Sequence, residues 1–153
     1  MAERSLEEMM KIWSTDDPKR LVGPGHPVGD FLRAPEWEVL DTGTDPLRLR
    51  LGLPEHVKNP RGELFGGFTA TYIDFVSLHL FHRSEPAGKP PVWLSTANLH
   101  VEYFAPIRGP EFLVDAEVLQ RRGRRAFIEM RFRSLDGELC ALGQTTLIQH
   151  RTG

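Results

Sequence analysis

An α+β fold, in which one long helix lies against a curved antiparallel sheet, is predicted by two features of this chain. Residues 68–81 are mostly apolar and run far enough for a helix, and after them come stretches of alternating apolar and polar residues bounded by turn signals. A single helix followed by a meander of strands packs with that helix on one face of the sheet.

Taken in order, the chain opens with Leu6, Met9, Met10 and Trp13 at helical spacing, with Glu3, Glu7 and Glu8 toward the positive end of the helix dipole. This is a short surface helix. Between residues 14 and 35, Asp16-Asp17-Pro18, Gly23-Pro24-Gly25-His26-Pro27 and Val28-Gly29-Asp30 leave no helix or strand room to run far. Gly23-Pro24-Gly25 has no strand before it and no helix opening after it, which argues against a dinucleotide loop. Residues 37–40 and 47–51 read as a hairpin around the turn at 41–46.

Beyond the central helix, residues 84–91 form a Pro/Gly loop, and residues 93–105 then alternate. Ala97, Leu99, Val101, Tyr103 and Ala105 share one face and Thr96, Asn98, His100 and Glu102 the other, as in a long half-buried strand. Residues 112–118 and 126–132 are two more alternating runs joined by Arg121-Arg122-Gly123-Arg124. Asp136-Gly137 turns the chain into a last strand over 138–149.

At 153 residues and 40% apolar content, the chain fits one core, with an N-terminal helix and connection over 1–34 and the folded domain over 35–153. A net charge of −2 and a pI near 6.3 supply no basic field for nucleic acid. Cys140 is the only cysteine, so neither an internal disulfide nor a multi-cysteine zinc site can form. With no signal-peptide pattern and no apolar run long enough to span a bilayer, the expectation is a cytoplasmic protein without a membrane partner.

The chemistry points to residues 59–67, Asn59-Pro60-Arg61-Gly62-Glu63-Leu64-Phe65-Gly66-Gly67, and to the helix they open. A glycine pair at a helix start offers free amides at a positive dipole end, where a polarised carbonyl or an oxyanion can sit. Asp74 follows Gly67 by seven residues and, at about 3.6 residues per turn, returns to nearly the same side two turns on. The helix is apolar almost all round, so a buried location is expected, and a buried carboxylate is costly unless it serves a function. The plain alternative is that Asp74 marks the solvent edge of an amphipathic helix.

Asn59-Pro60-x-Gly62-x-Leu64-Phe65-Gly66-Gly67, with Asp74 nine residues after Phe65 and the later Thr96-x-Asn98-x-x-x-x-Tyr103-x-x-Pro106, resembles the hotdog-fold acyl-CoA thioesterases. The likeness, over about residues 35–150, is to the phenylacetate-pathway (PaaI-like) branch and its animal mitochondrial relatives. It implies a helix wrapped by the sheet, dimers formed edge to edge, often paired into tetramers, and active sites between subunits. By that resemblance Asp74 is the general base or nucleophile, and the amide of Gly67 or its neighbour polarises the thioester carbonyl. Asn59 reaches in from the facing subunit to hold water or substrate, and Thr96 positions water. Phe65, Gly66 and Thr71 are expected to contact substrate. No cofactor is implied, coenzyme A entering only as part of the substrate.

The family pattern has His-Gly-Gly where this chain has Phe65-Gly66-Gly67, so the imidazole is missing. Two readings follow: an enzyme in which the amide and Asp74 suffice, Phe65 packing the loop against the sheet, or an acyl-CoA sensor without turnover. A hotdog hydratase or dehydratase is a third. Arg121, Arg122, Arg124 and Arg125 are either a solvated hairpin tip or a clamp for coenzyme A phosphates. His79 and His82 lack the intervening Glu of a zinc-binding HExxH helix, and no metal is expected. No Gly-x-Ser-x-Gly elbow is present, and Cys140 reads as a small buried hydrophobe.

Overall fold

The computed structural model describes residues 3–41 and 46–151 of the chain. The predicted turn at 41–46 therefore lies largely outside the described residues. Six strands, β1 (Glu38–Asp41), β2 (Leu47–Gly52), β3 (Leu94–Tyr103), β4 (Glu111–Arg122), β5 (Arg125–Arg133) and β6 (Leu139–Gln149), form one antiparallel sheet in the order β1-β2-β4-β5-β6-β3. Three helices accompany it, α1 (Leu6–Ile12), α2 (Pro27–Phe31) and α3 (Gly66–Arg83). The sheet wraps α3, which gives the predicted α+β hotdog fold.

Period-two patterning holds the sheet on α3. In β2, Leu47, Leu49 and Leu51 are buried while Arg48 and Arg50 are exposed, and β4 and β5 add Phe112, Val114, Ala116, Ile128, Met130 and Phe132 to the same core. At Gly143 of β6 helix and sheet approach closely, since a Cβ there would run into the Ile73 side chain. Trp37 and Tyr72 stack at 5.7 Å between ring centroids, closing the core beside α3.

The N-terminal segment is built onto this core. Ser5 caps α1 in a reciprocal capping box with Glu8, and no residue of α1 is fully buried, as expected of a surface helix. Its C-terminal end is pinned by the Gly23 amide, which donates to the Trp13 carbonyl at 2.8 Å. Val22, Leu32 and Ala34 are buried with the sheet residues. The short helix α2 starts at Pro27, with His26 Nδ1 accepting from the Val28 and Gly29 amides.

Two expectations are corrected. α3 is not buried all round: Tyr72, Ile73, Phe75, Val76, Ser77, Leu80 and Phe81 are buried, whereas Thr71, Asp74, Leu78 and His82 form a half-buried stripe that begins at exposed Gly67. Their spacing of four, three, four and four residues keeps that stripe on one side of the helix. β3 is an edge strand in which Leu99 and Val101 are half-buried against the core as expected, but Ala97 and Tyr103 of the same expected face are exposed, and a bulge between Thr96 and Asn98 breaks the alternation.

Candidate active site

The bulge decides which way Thr96 points. Thr96 pairs with Leu147 and Leu99 with Thr145, both inward positions of β6, so the extra residue Ala97 puts Thr96 on the same face as Leu99, Val101 and Tyr103. An unbroken period of two would have sent it to the opposite face. There its hydroxyl donates to Asp74 Oδ1. Asp74 is thus a half-buried, partnered carboxylate on the open stripe of α3, rather than an isolated charge in the core.

The loop before α3 is locked by its own side chains. Asn59 Oδ1 accepts from the amides of Arg61 at 2.9 Å and Glu63 at 3.1 Å, and Gly62 turns the chain at a positive φ of 76°. Leu64 donates to the Ile107 carbonyl and Phe65 to the Val57 carbonyl, both at 2.9 Å. The remaining Asn59 donor group lies 3.5 Å from Glu63. Asn59 therefore makes no hydrogen bond to Asp74 or Thr96 within the protomer.

Phe65 is the N-cap of α3 and offers no capping oxygen, so no side chain satisfies the first-turn amides of Gly66 and Gly67. Its ring does not pack against the sheet as expected. It is 54% exposed and lies over the first turn, 6.0 Å from the Phe68 ring centroid, where a Cβ on Gly67 would meet it at 3.4 Å. Tyr103 takes the sheet-side position instead, its hydroxyl donating to the Gly66 carbonyl. The sequence alone assigns Tyr103 no role, although its place in the motif is visible. An open groove of about 590 Å³ lies at this helix start, bordered by Arg61, Glu63, Gly66, Thr69, Tyr103 and Arg108. Arg108 at 2.8 Å holds the Glu63 carboxyl below its usual range, with Asn59 and Arg61 acting in the same direction.

Thr71 lies on the stripe between Gly67 and Asp74. The four arginines of the β4–β5 tip lie elsewhere. Arg121 donates to Glu85, to Ser84 and to the Phe81 carbonyl, and its guanidinium sits 4.2 Å over the Phe81 ring, so it braces the C-terminal end of α3. Arg124 donates to the Gln149 carbonyl at 3.3 Å, and Arg122 and Arg125 are exposed.

His82 is engaged by two backbone carbonyls, Leu78 at 2.9 Å and Val92 at 3.0 Å. Among the described residues no cluster of three or more His, Cys, Asp or Glu side chains could hold a metal. Cys140 is buried, which pushes its thiol up from the ordinary range. None of the described helices is long and apolar enough to cross a membrane.

A family model described as the thioesterase superfamily matches residues 61–141, just over half of the chain and including Gly66, Gly67, Asp74 and Thr96. The chain belongs to the thioesterase superfamily. Solved structures agree in fold with this thioesterase-superfamily chain. A Bacillus halodurans protein crystallised with CoA superposes with a TM-score of 0.70 at 22% identity, over 84% of this chain and 82% of its own. Thioesterase superfamily member 2 from Mus musculus gives 0.65 at 22% identity, covering 79% and 87%. A phenylacetic acid degradation-related protein from Ralstonia eutropha gives 0.66 at 22%, covering 82% and 91%. No curated protein sequence matches the chain significantly.

Proposed function

We propose that this thioesterase-superfamily chain hydrolyses an acyl-CoA thioester to the free acid and coenzyme A. The observation that carries the reading is the Asp74–Thr96 pair on the open stripe of α3, on the same helix as the uncapped Gly66 and Gly67 amides. Asp74 takes a proton from water, or attacks the carbonyl directly, while Thr96 holds the carboxylate in one rotamer. A first-turn amide, Gly67 or Gly66, polarises the thioester oxygen. A positioned base typically supplies about 10²–10⁴-fold and one oxyanion donor about 10²–10³-fold. Both parts are held by this chain. The neighbour crystallised with CoA supports coenzyme A as the carrier group.

The site is read as composite. Gly67 and Asp74 lie about 10 Å apart along one helix axis, which favours Asp74 of one subunit working with the Asn59–Gly67 loop of another. β3 is an edge strand whose outer side is unpaired among the described residues, so edge-to-edge dimers, paired into tetramers, suit the sheet. Membership of the phenylacetate-pathway branch, a cytoplasmic location, and residues 1–34 as an extension on a domain over 35–153 complete this reading. Arg122, Arg124 and Arg125 remain candidates for the phosphates, with Arg121 bracing the fold.

The sensor reading is favoured by one observation, Phe65 where the family has histidine. Phenylalanine shares no proton, yet its ring lies beside the first turn, where a Cβ on Gly67 would meet it at 3.4 Å. Thiol release by the wild type and by Phe65→His, over acetyl-, hexanoyl-, decanoyl-, palmitoyl- and phenylacetyl-CoA, separates the two. The wild type turns over at least one substrate, and the variant differs by less than about 10²-fold. A wild type that binds acyl-CoA without turnover, beside a Phe65→His variant that hydrolyses it, establishes the sensor.

A further inference from the structure

β3 runs along α3 in the opposite direction, and the two are joined rung by rung. Tyr103 meets Gly66, and Thr96 meets Asp74. One step further along each element are Leu94, two residues before Thr96 on the same strand face, and Leu78, one helical turn after Asp74. Leu78 and Leu94 both line a cavity of about 210 Å³. The cavity therefore continues the seam on which the Asp74–Thr96 pair stands.

Part of its remaining wall comes from outside residues 61–141, which the family model matches. Met9, Met10 and Trp13 of the N-terminal segment close one side and His79 of α3 another. This wall is fixed in place by the α1 capping box, by the Gly23 amide on the Trp13 carbonyl, and by edge contacts of Trp13 with His26 at 4.8 Å and of His26 with Phe75 at 5.0 Å. No carboxylate, lysine or arginine borders the cavity. His79 is desolvated by the rings around it, and that burial, with His26 and His82 nearby, pushes it down to about 3, so its ring is neutral. A second cavity of about 230 Å³ lies beyond, toward Glu7, Lys11, Glu85 and Lys89. Met10, His82 and Val92 border both.

We propose that this cavity receives the apolar tail of the acyl group, that α1 supplies its end wall, and that Met10 is the stop setting the longest chain accepted. The proposal rests on the acyl-CoA reading of the Asp74 site. Three observations select an acyl tail as occupant: continuity with the Asp74–Thr96 rung, a largely apolar lining free of carboxylate, lysine and arginine, and a volume below the roughly 300–1,000 Å³ of a pocket that holds a whole drug-sized ligand. The space suits a tail and not an entire acyl-CoA. Flexible methionines let the wall fit tails of somewhat different shape.

Met10→Ala joins the two cavities and Met10→Trp fills the first, so the two variants move chain-length selectivity in opposite directions. A methylene gained or lost in an apolar pocket changes selectivity about 10–200-fold. The expected result is a palmitoyl-over-hexanoyl ratio of kcat/KM that rises at least about tenfold in Met10→Ala and falls at least about tenfold in Met10→Trp. Simple loosening of α1 would move both the same way and overturns the proposal. The same series is measured as calorimetric affinity, using thioether analogues of the acyl-CoAs that cannot be hydrolysed. If no acyl-CoA is turned over but the affinities show the opposed shifts, the hydrolysis reading fails and the tail pocket stands. If turnover proceeds with ratios unmoved in both variants, hydrolysis stands and the tail pocket is wrong.

Discussion

Thr96 donates its hydroxyl to the Asp74 carboxylate from a strand position that unbroken pleating would turn the other way. One extra residue, Ala97, makes the contact possible. A bulge is a local disruption of the ladder that persists where it re-aims a side chain, and here the re-aimed side chain meets the carboxylate of the central helix.

Deleting Ala97 restores the regular register and turns Thr96 outward. We expect turnover to fall by about ten- to a hundredfold, matching Thr96→Val, because a hydrogen bond to a charged group contributes about 1.5–3 kcal/mol. Thr96→Ser, which keeps the hydroxyl, stays close to wild type. Far-UV circular dichroism and thermal melts establish that the variants fold. A fully active Ala97 deletion would remove the bulge from the mechanism.

The helix depends on one close approach to the sheet. Gly143→Val puts atoms where the Ile73 side chain already lies, and α3 must shift to make room. Overpacking of this kind costs about 1–3 kcal/mol, read as a lower denaturant midpoint at unchanged slope. Turnover should fall as well, since the Asp74–Thr96 contact is set by how α3 lies on the sheet. A stable and active Gly143→Val protein would contradict this placement of α3.

The arginines of the β4–β5 tip separate into two roles. Arg121→Ala loses its contacts to Glu85, Ser84 and the Phe81 ring, and lowers stability by about 1 kcal/mol, with little change in the Michaelis constant. Reversing charge at Arg122 and Arg125 leaves the melting temperature close to wild type and raises the Michaelis constant for full acyl-CoA, less so at high salt. An equal response to a truncated pantetheine thioester would eliminate the phosphate role.

Much of the fold was legible because it is written in short periods. Leu47, Leu49 and Leu51 against Arg48 and Arg50 announce a strand with one buried face, and residues 68–81 announce a helix by length. What resisted reading depends on partners distant in sequence. The alternation of residues 93–105 implies a strand but is silent on a bulge, because only the register against β6 exposes the unpaired Ala97. From sequence α3 likewise reads as buried all round, since apolar Leu78 and polar Thr71 share their stripe with Asp74, and which side the sheet leaves open is a tertiary fact. Arg121 looked equivalent to its neighbours until Phe81, Ser84 and Glu85 arrived beside it. Gly66, Gly67 and Asp74 can be picked out by spacing, and Asn59 only by the family resemblance. That α1 closes a cavity beyond Leu78 can be picked out by neither.

The central claim is that Asp74 does chemistry, and thiol release by Asp74→Asn measures it most directly. The variant keeps size and shape, and an amide can still accept the Thr96 hydroxyl, so binding of a non-hydrolysable acyl-CoA analogue, followed by calorimetry, should change little. The rate at saturating acyl-CoA should fall by at least about 10²-fold. Turnover near the wild-type rate in a folded Asp74→Asn protein would contradict the account.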